Sequence, residues 1–361
     1  MTTYYITILL VFAFLYIAQK NTEKSISINN ETVIEKTSVT KFFFILTAIT
    51  LILVAGLRYN VGSDFGAYYK GFDRLAAEFS SKLSELNEPG IRFIAKLISL
   101  VGGNAALFIF VCAFITIVLF LSTIYKNTDM LLLATLLYVF LGCWHGCFNG
   151  IRQYFAAAII FAGVKFIKER KFWKYAILVF IAFLFHASAI IMIFPYFIVY
   201  NKINFRNIIL LILASVFILF SFSELLDLAG FILRDELSEE SKYITTTVNT
   251  FRVLVAIAPA VFFLFVYSGR PISKDQRFWL NFLIINGVIM FATSNSAYFA
   301  RMGIYTAPFS ALGIAELIKG LKPRERSVFS IIIVVAFFLF WQHSIEKSVA
   351  LNDFKWIFSN I

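Results

Sequence analysis

The sequence predicts an all-α polytopic membrane protein of about twelve transmembrane helices, with ten to thirteen compatible with its hydropathy. Three observations predict it. Of the 361 residues, 60% are hydrophobic and 18% aromatic, with a mean hydropathy of +0.83, whereas a soluble domain is only about half apolar. Several apolar runs reach the roughly 20 residues needed to cross the hydrocarbon layer. These runs are continuous rather than alternating, which excludes a transmembrane β-barrel.

Taken in order, the crossings fall at 4–18, 42–57, 105–124, 130–147, 151–167, 172–185, 187–200, 207–222, 251–268, 278–293, 302–318 and 327–345. Met1 to Ile17 has no basic leading segment and no small-residue cleavage site, so it reads as the first crossing rather than a cleaved signal. The apolar stretch 172–200 is split into two short crossings that turn at His186. Charge decides this split. With the N-terminus outside, most of the 32 Lys and Arg fall on the inner segments, and the outer segments are close to neutral. A single crossing would send Lys202, Arg206, Lys319, Lys322, Arg324 and Arg326 outward, against the retention of basic loops in the cytoplasm. The net charge of +11 follows from the same retention and demands no anionic partner.

Two outer segments exceed simple turns. In 58–104, Tyr68, Phe72, Leu75, Phe79, Leu83 and Leu86 recur at helical spacing. Glu88-Pro89 then opens a second helix, with Pro in a first-turn position, whose apolar face is Ile91, Ile94, Ala95 and Ile98 and which Gly102-Gly103 stops. Both read as amphipathic helices on the outer membrane surface. The segment 223–250 is acidic and rich in Ser and Thr, and reads as a solvated loop in preference to a lid. With no repeat and no soluble insertion, 1–361 reads as a single membrane domain.

In this topology the unusual polar residues collect on the outer side: Arg58 and Asp64 after the second crossing, Glu88 at the surface helix, Arg152-Gln153 opening the fifth, His186 at its turn, and Arg301 with Tyr305 opening the eleventh. An ionisable group at a membrane edge is expensive and is a functional candidate. Each has a bland alternative. Arg152 and Arg301 can snorkel to headgroups, although a snorkelling girdle favours the inner side. Arg58 and Asp64 can form a structural ion pair across the Gly62 turn, His186 can be a structural histidine, and Glu88 can be a helix N-terminal acid. Cys143-Trp144-His145-Gly146-Cys147 is a poor metal site, because His145 lies about 200° around the helix from Cys143. No phosphate-cradling Gly loop, serine elbow or His-x-Glu pattern occurs, so no metal and no cofactor is expected. Nothing supports nucleic-acid binding.

Arginines beside apolar surface suit an anionic amphiphile, because a guanidinium forks phosphate oxygens and keeps its charge when partly buried. A neighbouring carboxylate or histidine supplies a general base. Outside the cytoplasm there is no ATP, so group transfer there needs a pre-activated, lipid-linked donor.

Arg58-Tyr59-x-Val61-Gly62-x-Asp64, Glu88-Pro89-Gly90, Asn149-Gly150-Ile151-Arg152-Gln153-Tyr154-x-Ala156-Ala157-Ala158 and Phe185-His186-Ala187-Ser188-Ala189, in that order, resemble the EpsG family of Wzy-type polysaccharide polymerases. The resemblance implies a glycosyltransferase of the bacterial cytoplasmic membrane, working at its outer face. Such an enzyme joins oligosaccharide repeat units carried on undecaprenyl pyrophosphate into O-antigen, capsule or exopolysaccharide. Its implied partners are the bilayer, the lipid-linked glycan as donor and acceptor, a chain-length regulator and a flippase. On this expectation Arg152, Arg301 and Arg58 bind pyrophosphate, Gln153 and Tyr305 orient substrate, and His186, Asp64 and Glu88 compete as the base. The rival classes are an O-antigen ligase, which differs only in its acceptor, a lipid-linked oligosaccharide flippase, and a membrane O-acyltransferase.

Overall fold

The computed structural model describes residues 1–22, 25–28, 31–34, 36–79, 88–202, 205–221 and 246–360. The acidic segment 223–250 lies almost wholly outside the described residues, as do Leu83 and Leu86. Among those described, the chain is helical apart from a small antiparallel hairpin, β1 (Ser25–Ile28) with β2 (Glu31–Ile34). Five helices are long and apolar enough to cross a membrane: Thr2–Lys20, Ser38–Gly56, Ala105–Asn127, Leu131–Asn149 and Pro323–Glu346. Shorter apolar helices, Ile151–Ala162, Phe172–Phe183, Ala187–Ile198, Ile209–Phe220 and Thr250–Val266, overlap five of the other expected crossings. The sequence reading treats 1–361 as one domain, whereas the chain packs as two compact units, residues 1–193 with 321–361, and residues 194–320.

In the first unit, α1 (Thr2–Lys20) lies against α2 (Ser38–Gly56), which Thr37 caps by accepting from the Thr40 amide at 3.1 Å. A capping side chain satisfies one of the amides a helix start leaves open. Two helices occupy the expected outer segment: α3 (Phe65–Glu78) and α4 (Pro89–Leu100). The long helix α5 (Ala105–Asn127) is capped by Asn104. It is followed by α6 (Leu131–Phe140), α7 (Cys143–Asn149), α8 (Ile151–Ala162), α9 (Val164–Lys168) and α10 (Phe172–Phe183). Ala156, Ala157 and Ala158 on α8 are fully buried. Where lipid removes the hydrophobic drive between helices, small residues let backbones approach and pack, here α8 against α5 and α10.

The apolar stretch after Lys171 breaks as its charge pattern requires. After α10 the chain turns at residues 184–186 and returns as a 3-10 segment, Ala187–Ile193. The Tyr175 hydroxyl donates to the Met192 carbonyl at 2.8 Å, which closes this hairpin at its base and leaves His186 at its tip. On α4 the expected apolar face, Ile91, Ile94, Ala95 and Ile98, is buried against the protein, and Phe93, Leu97, Leu100 and Val101 at its end form an exposed apolar flank. Arg92 leaves the surface to bind Glu78 at 2.9 Å.

The Cys-Trp-His-Gly-Cys run is a packing element. The Trp144 indole donates to the Leu51 carbonyl at 3.1 Å, the Cys147 thiol to the Trp144 carbonyl at 2.9 Å, and the Trp341 indole to Nδ1 of His145 at 3.2 Å. The C-terminal helix Pro323–Glu346 is thereby bound to α7. Beyond it, a strap latches onto the loop after α2: the Tyr59 amide donates to Lys355, Ile357 to Leu57 and Gly62 to Ala350, at 2.8, 2.8 and 2.9 Å.

The second unit is built around the helix Lys274–Ala292, which packs on Gly303–Lys319, Thr250–Val266 and Phe205–Phe220. Its polar side chains act as interhelical ties, a role that hydrogen-bonding residues commonly take in membranes. The Thr306 hydroxyl donates to Asn286 at 2.7 Å, and the Asn281 amide to the Val199 and Asn201 carbonyls at 2.8 and 3.0 Å.

The loop after α2 distinguishes two glycines. Gly62 sits at φ +101°, and a Cβ there would meet the Phe148 carbonyl oxygen at 2.2 Å. Gly150 has φ −120°, and its Cβ would meet only Tyr154 at an ordinary 3.5 Å. Gly62→Ala should therefore destabilise the protein by about 1–3 kcal/mol, read as a lowered melting temperature in detergent, while Gly150→Ala leaves it unchanged. Equal melting of the two variants would refute the distinction.

Candidate functional site

Three of the expected residues meet around one carboxylate. Glu88 is buried, with its side chain only 7% exposed. One oxygen, Oε2, binds Nη1 of Arg152. The other, Oε1, lies 2.5 Å from Nδ1 of His186 and accepts from the Ala187 amide at 3.4 Å. An ionised carboxylate only accepts, so Nδ1 of His186 carries the proton of that bond, which leaves Nε2 outside it. Arg152 is held on a second side: its Nε donates to the Tyr68 hydroxyl at 2.7 Å. Its Nη2 has no partner among the described residues, and the side chain stays 44% exposed.

Local sequence explains how three distant segments reach this point. Glu88 adopts φ 54°, ψ 63°, a left-handed conformation uncommon for a non-glycine residue and disfavoured further by the proline that follows. Such strain costs of order 1–3 kcal/mol and persists only where the surroundings impose it. Here the side-chain bonds to Arg152 and His186 do so, with Pro89 starting α4 immediately after. The Gly90 amide donates to the Leu184 carbonyl at 2.8 Å, docking the start of α4 on the hairpin tip. A Cβ at Gly90 would press into the Phe185 ring at 2.9 Å. That ring stacks on Phe155, with centroids 4.4 Å apart and planes 16° from parallel. Phe155 lies one turn beyond Arg152 on α8, so a single stack fixes the spacing between the arginine and the histidine.

Burial raises the Glu88 carboxyl, but the hydrogen bond from His186, the charges of Arg152 and His186 and the Ala187 amide outweigh it and hold the group below its ordinary value. Burial pushes the Tyr68 phenol upward, in spite of Arg152 beside it, so it remains a neutral acceptor for the arginine.

The remaining candidates stand elsewhere. Arg58 is only 1% exposed. Its Nε donates to the Val61 carbonyl at 3.1 Å, its Nη1 to Ala55, and its guanidinium lies over Phe148 at 4.7 Å from the ring centroid. This is a buried structural arginine, at odds with the expected pyrophosphate ligand, and among the described residues it makes no ion pair with Asp64. Asp64 precedes α3 and accepts from the Ser63 hydroxyl at 2.9 Å, making no bond to the carboxylate centre. Gln153 is 6% exposed, turned inward from the face Arg152 presents. Arg301 and Tyr305 belong to the second unit. Arg301 is exposed beside the Tyr298 ring, whereas Tyr305 is fully buried, so the common face expected of them is absent. Asn149 was not singled out as a site residue, yet its Oδ1 accepts from the Ser63 amide at 2.9 Å and ties the loop after α2 to the start of α8. The helical spacing places Tyr68 on the apolar face of α3, and its phenol among those apolar positions is the one sequence signal of its contact with Arg152.

This arrangement resembles the carboxylate–histidine pairs of general-base catalysis, in which the carboxylate orients the ring and supports its protonated form. Its pH dependence has a defined sign. Because the folded carboxyl is held below 4.5, the stabilisation from its ionised form is complete above that value and is lost as pH falls through the lowered one. The melting-temperature difference between the native protein and Glu88→Gln should shrink as pH falls below the ordinary carboxylate pKa. Hydrogen bonds to charged groups are worth about 1.5–3 kcal/mol, which sets the scale of that difference. A difference that grows below that pH would contradict the assignment.

Comparison with known proteins agrees with the motif order. The EpsG family model matches residues 41–357, nearly the whole chain, and takes in every residue of the carboxylate centre. No curated protein and no solved structure matches. With a match of that extent, the chain belongs to the EpsG family, a family of Wzy-type polymerases.

Proposed function

We propose that this protein polymerises surface polysaccharide by transferring a growing glycan from undecaprenyl pyrophosphate to a fresh lipid-linked repeat unit. The observation that carries this reading is the buried Glu88 carboxylate, which holds a half-exposed arginine and a partly exposed histidine side by side. Arg152 offers the remaining edge of its guanidinium to the diphosphate, and His186 offers Nε2 to the acceptor hydroxyl. The hydroxyl oxygen attacks the anomeric carbon as its proton passes to Nε2. The bond from that carbon to the diphosphate oxygen breaks, and the electron pair leaves with undecaprenyl diphosphate. A single displacement of this kind inverts the anomeric configuration. Stabilising the charge that develops on the leaving group is usually the largest contribution to such a step, and Arg152 is preorganised for it by Tyr68 and Glu88. Glu88 in this scheme orients and supports His186 and is not itself the base, since both of its oxygens are engaged.

Charge distribution supports a site open to the outside. In the first unit the helix ends remote from Glu88 carry Lys20, Lys126, Lys165 and Lys168 in their last turns. Basic ends favour the cytoplasmic side, and with about twelve crossings in the bacterial cytoplasmic membrane the Glu88 centre faces outward.

Deletion of the gene should leave single repeats attached to the cell surface and abolish long chains, read by gel analysis of the surface glycan. Accumulated long polymer still on its lipid would identify a ligase instead. Arg152→Lys should lose at least tenfold in polymerisation at unchanged expression, because lysine keeps the charge but not the planar fork. His186→Asn should lose more, and a fully active Arg152→Ala would sink the assignment.

A further inference from the structure

The loop between α2 and α3 carries aromatic rings that the carboxylate centre does not use. Tyr59 lies against Phe65 and Tyr69, with centroids 5.6 and 5.8 Å apart and near-perpendicular planes. Phe65 and Tyr69 stack at 5.3 Å and 17°. Phe65 is buried, whereas both tyrosines are partly exposed, and neither hydroxyl bonds another described residue. Asn60 and Ser63, from the same loop, are exposed, and Asp64 is half-buried.

We propose that Tyr59 and Tyr69, with Asn60, Ser63 and Asp64, form a subsite for the glycan of the lipid-linked substrate. This rests on the polymerase reading above. A sugar presents C–H groups on its faces and hydroxyls around its edge, so it suits an exposed aromatic ring bordered by short polar side chains. Aromatic rings attract the positive edges of such groups through their negative faces. The chain places the subsite beside the reaction centre: Tyr69 directly follows Tyr68, whose hydroxyl holds Arg152, and lies about 100° further round α3. A diphosphate on Arg152 would therefore have its first sugars within reach of these rings.

The rings are also fixed. A tyrosine that merely anchors a helix at the bilayer interface needs no support beyond its own helix. Tyr59 is held from the far end of the sequence, by the hydrogen bond its backbone amide donates to the Lys355 carbonyl and by the bridge between Arg58 and Trp356. Within that strap Phe354 packs edge-on against Trp356 at 4.9 Å and against Tyr4 at 5.4 Å. Holding a ring before its ligand arrives reduces the ordering cost of binding. The strap thus has a task in substrate recognition.

The test uses the full chain in lipid nanodiscs and two probes, undecaprenyl diphosphate without sugar and the same lipid bearing one repeat unit. Tyr59→Ala with Tyr69→Ala should weaken binding of the glycosylated lipid roughly tenfold and leave the sugar-free lipid unchanged. The paired Tyr→Phe variants should bind both lipids almost as the native protein does, which separates loss of the ring from loss of the fold. Unaltered binding of the glycosylated lipid, or equal weakening of both probes, overturns the subsite while the Arg152 reading stands. Failure of the native protein to bind either probe overturns both.

Discussion

A buried carboxylate in a membrane protein tolerates ionisation only with partners, because an isolated charge in low dielectric costs far more than folding can supply. Glu88 is such a group, and the first unit is arranged to satisfy it. Its two oxygens need donors from separate directions, and these come from α8 through Arg152 and from the hairpin tip through His186 and Ala187. The left-handed backbone at Glu88, the missing Cβ at Gly90 and the Phe155–Phe185 stack are the means by which two helices and a hairpin converge on one side chain. Removing the carboxylate would leave the stack with no reason to hold its spacing and Arg152 with only Tyr68.

The two arginines of this unit show how burial separates roles within one residue type. Arg58 is enclosed, bound to backbone carbonyls and covered by Phe148, so its charge is committed to the loop after α2. Arg152 is likewise oriented by two neighbours but keeps an open edge. A guanidinium has five donors in a fixed fork, and only a position that leaves some of them exposed can take a phosphate. The Asn149–Ser63 bond couples the two, since the loop stiffened by Arg58 also fixes the entry to α8.

Much of this was legible in the sequence because a bilayer enforces simple rules. Apolar run length predicts the helices, and loop charge predicts the break at His186, which the chain makes at residues 184–186. Charge and cost in the membrane likewise mark Arg152, Glu88 and His186, but they mark Arg58, Asp64 and Arg301 equally. What stayed hidden depends on contacts between segments distant in sequence. Nothing local separates Arg58 from Arg152, because both are arginines at a helix end, and only the aromatic cover on Arg58 tells them apart. Glu88 before a proline reads as a helix-start acid until its oxygens are seen to be engaged. Gly150, inside the most recognisable motif, proves to have an ordinary backbone and open surroundings, whereas the neighbours of Gly62 and Gly90 crowd any side chain placed there. Tyr305 repeats with Arg301 at helical spacing, yet a one-turn offset does not reveal that the helix begins only at Gly303. The strap after Glu346 has neither a hydrophobic period nor a motif, and its hydrogen bonds are made by backbone groups that every residue carries.

Charge balance gives the proposed reaction its coherence. In the resting centre Glu88 and Arg152 neutralise each other. A bound diphosphate adds negative charge beside Arg152, on the side that Glu88 does not occupy. As the acceptor proton reaches Nε2, His186 becomes a cation while the leaving diphosphate gains its electron pair. The imidazolium then lies between two anions, Glu88 on Nδ1 and the departing group nearby, so positive and negative charge develop together within a few bonds. A carboxylate base in the same place would balance the charge equally, but both oxygens of Glu88 are already engaged by Arg152, His186 and the Ala187 amide. Placing the proton on the histidine and keeping the carboxylate ionised behind it is therefore the assignment that keeps Glu88 bound to Arg152 throughout the step.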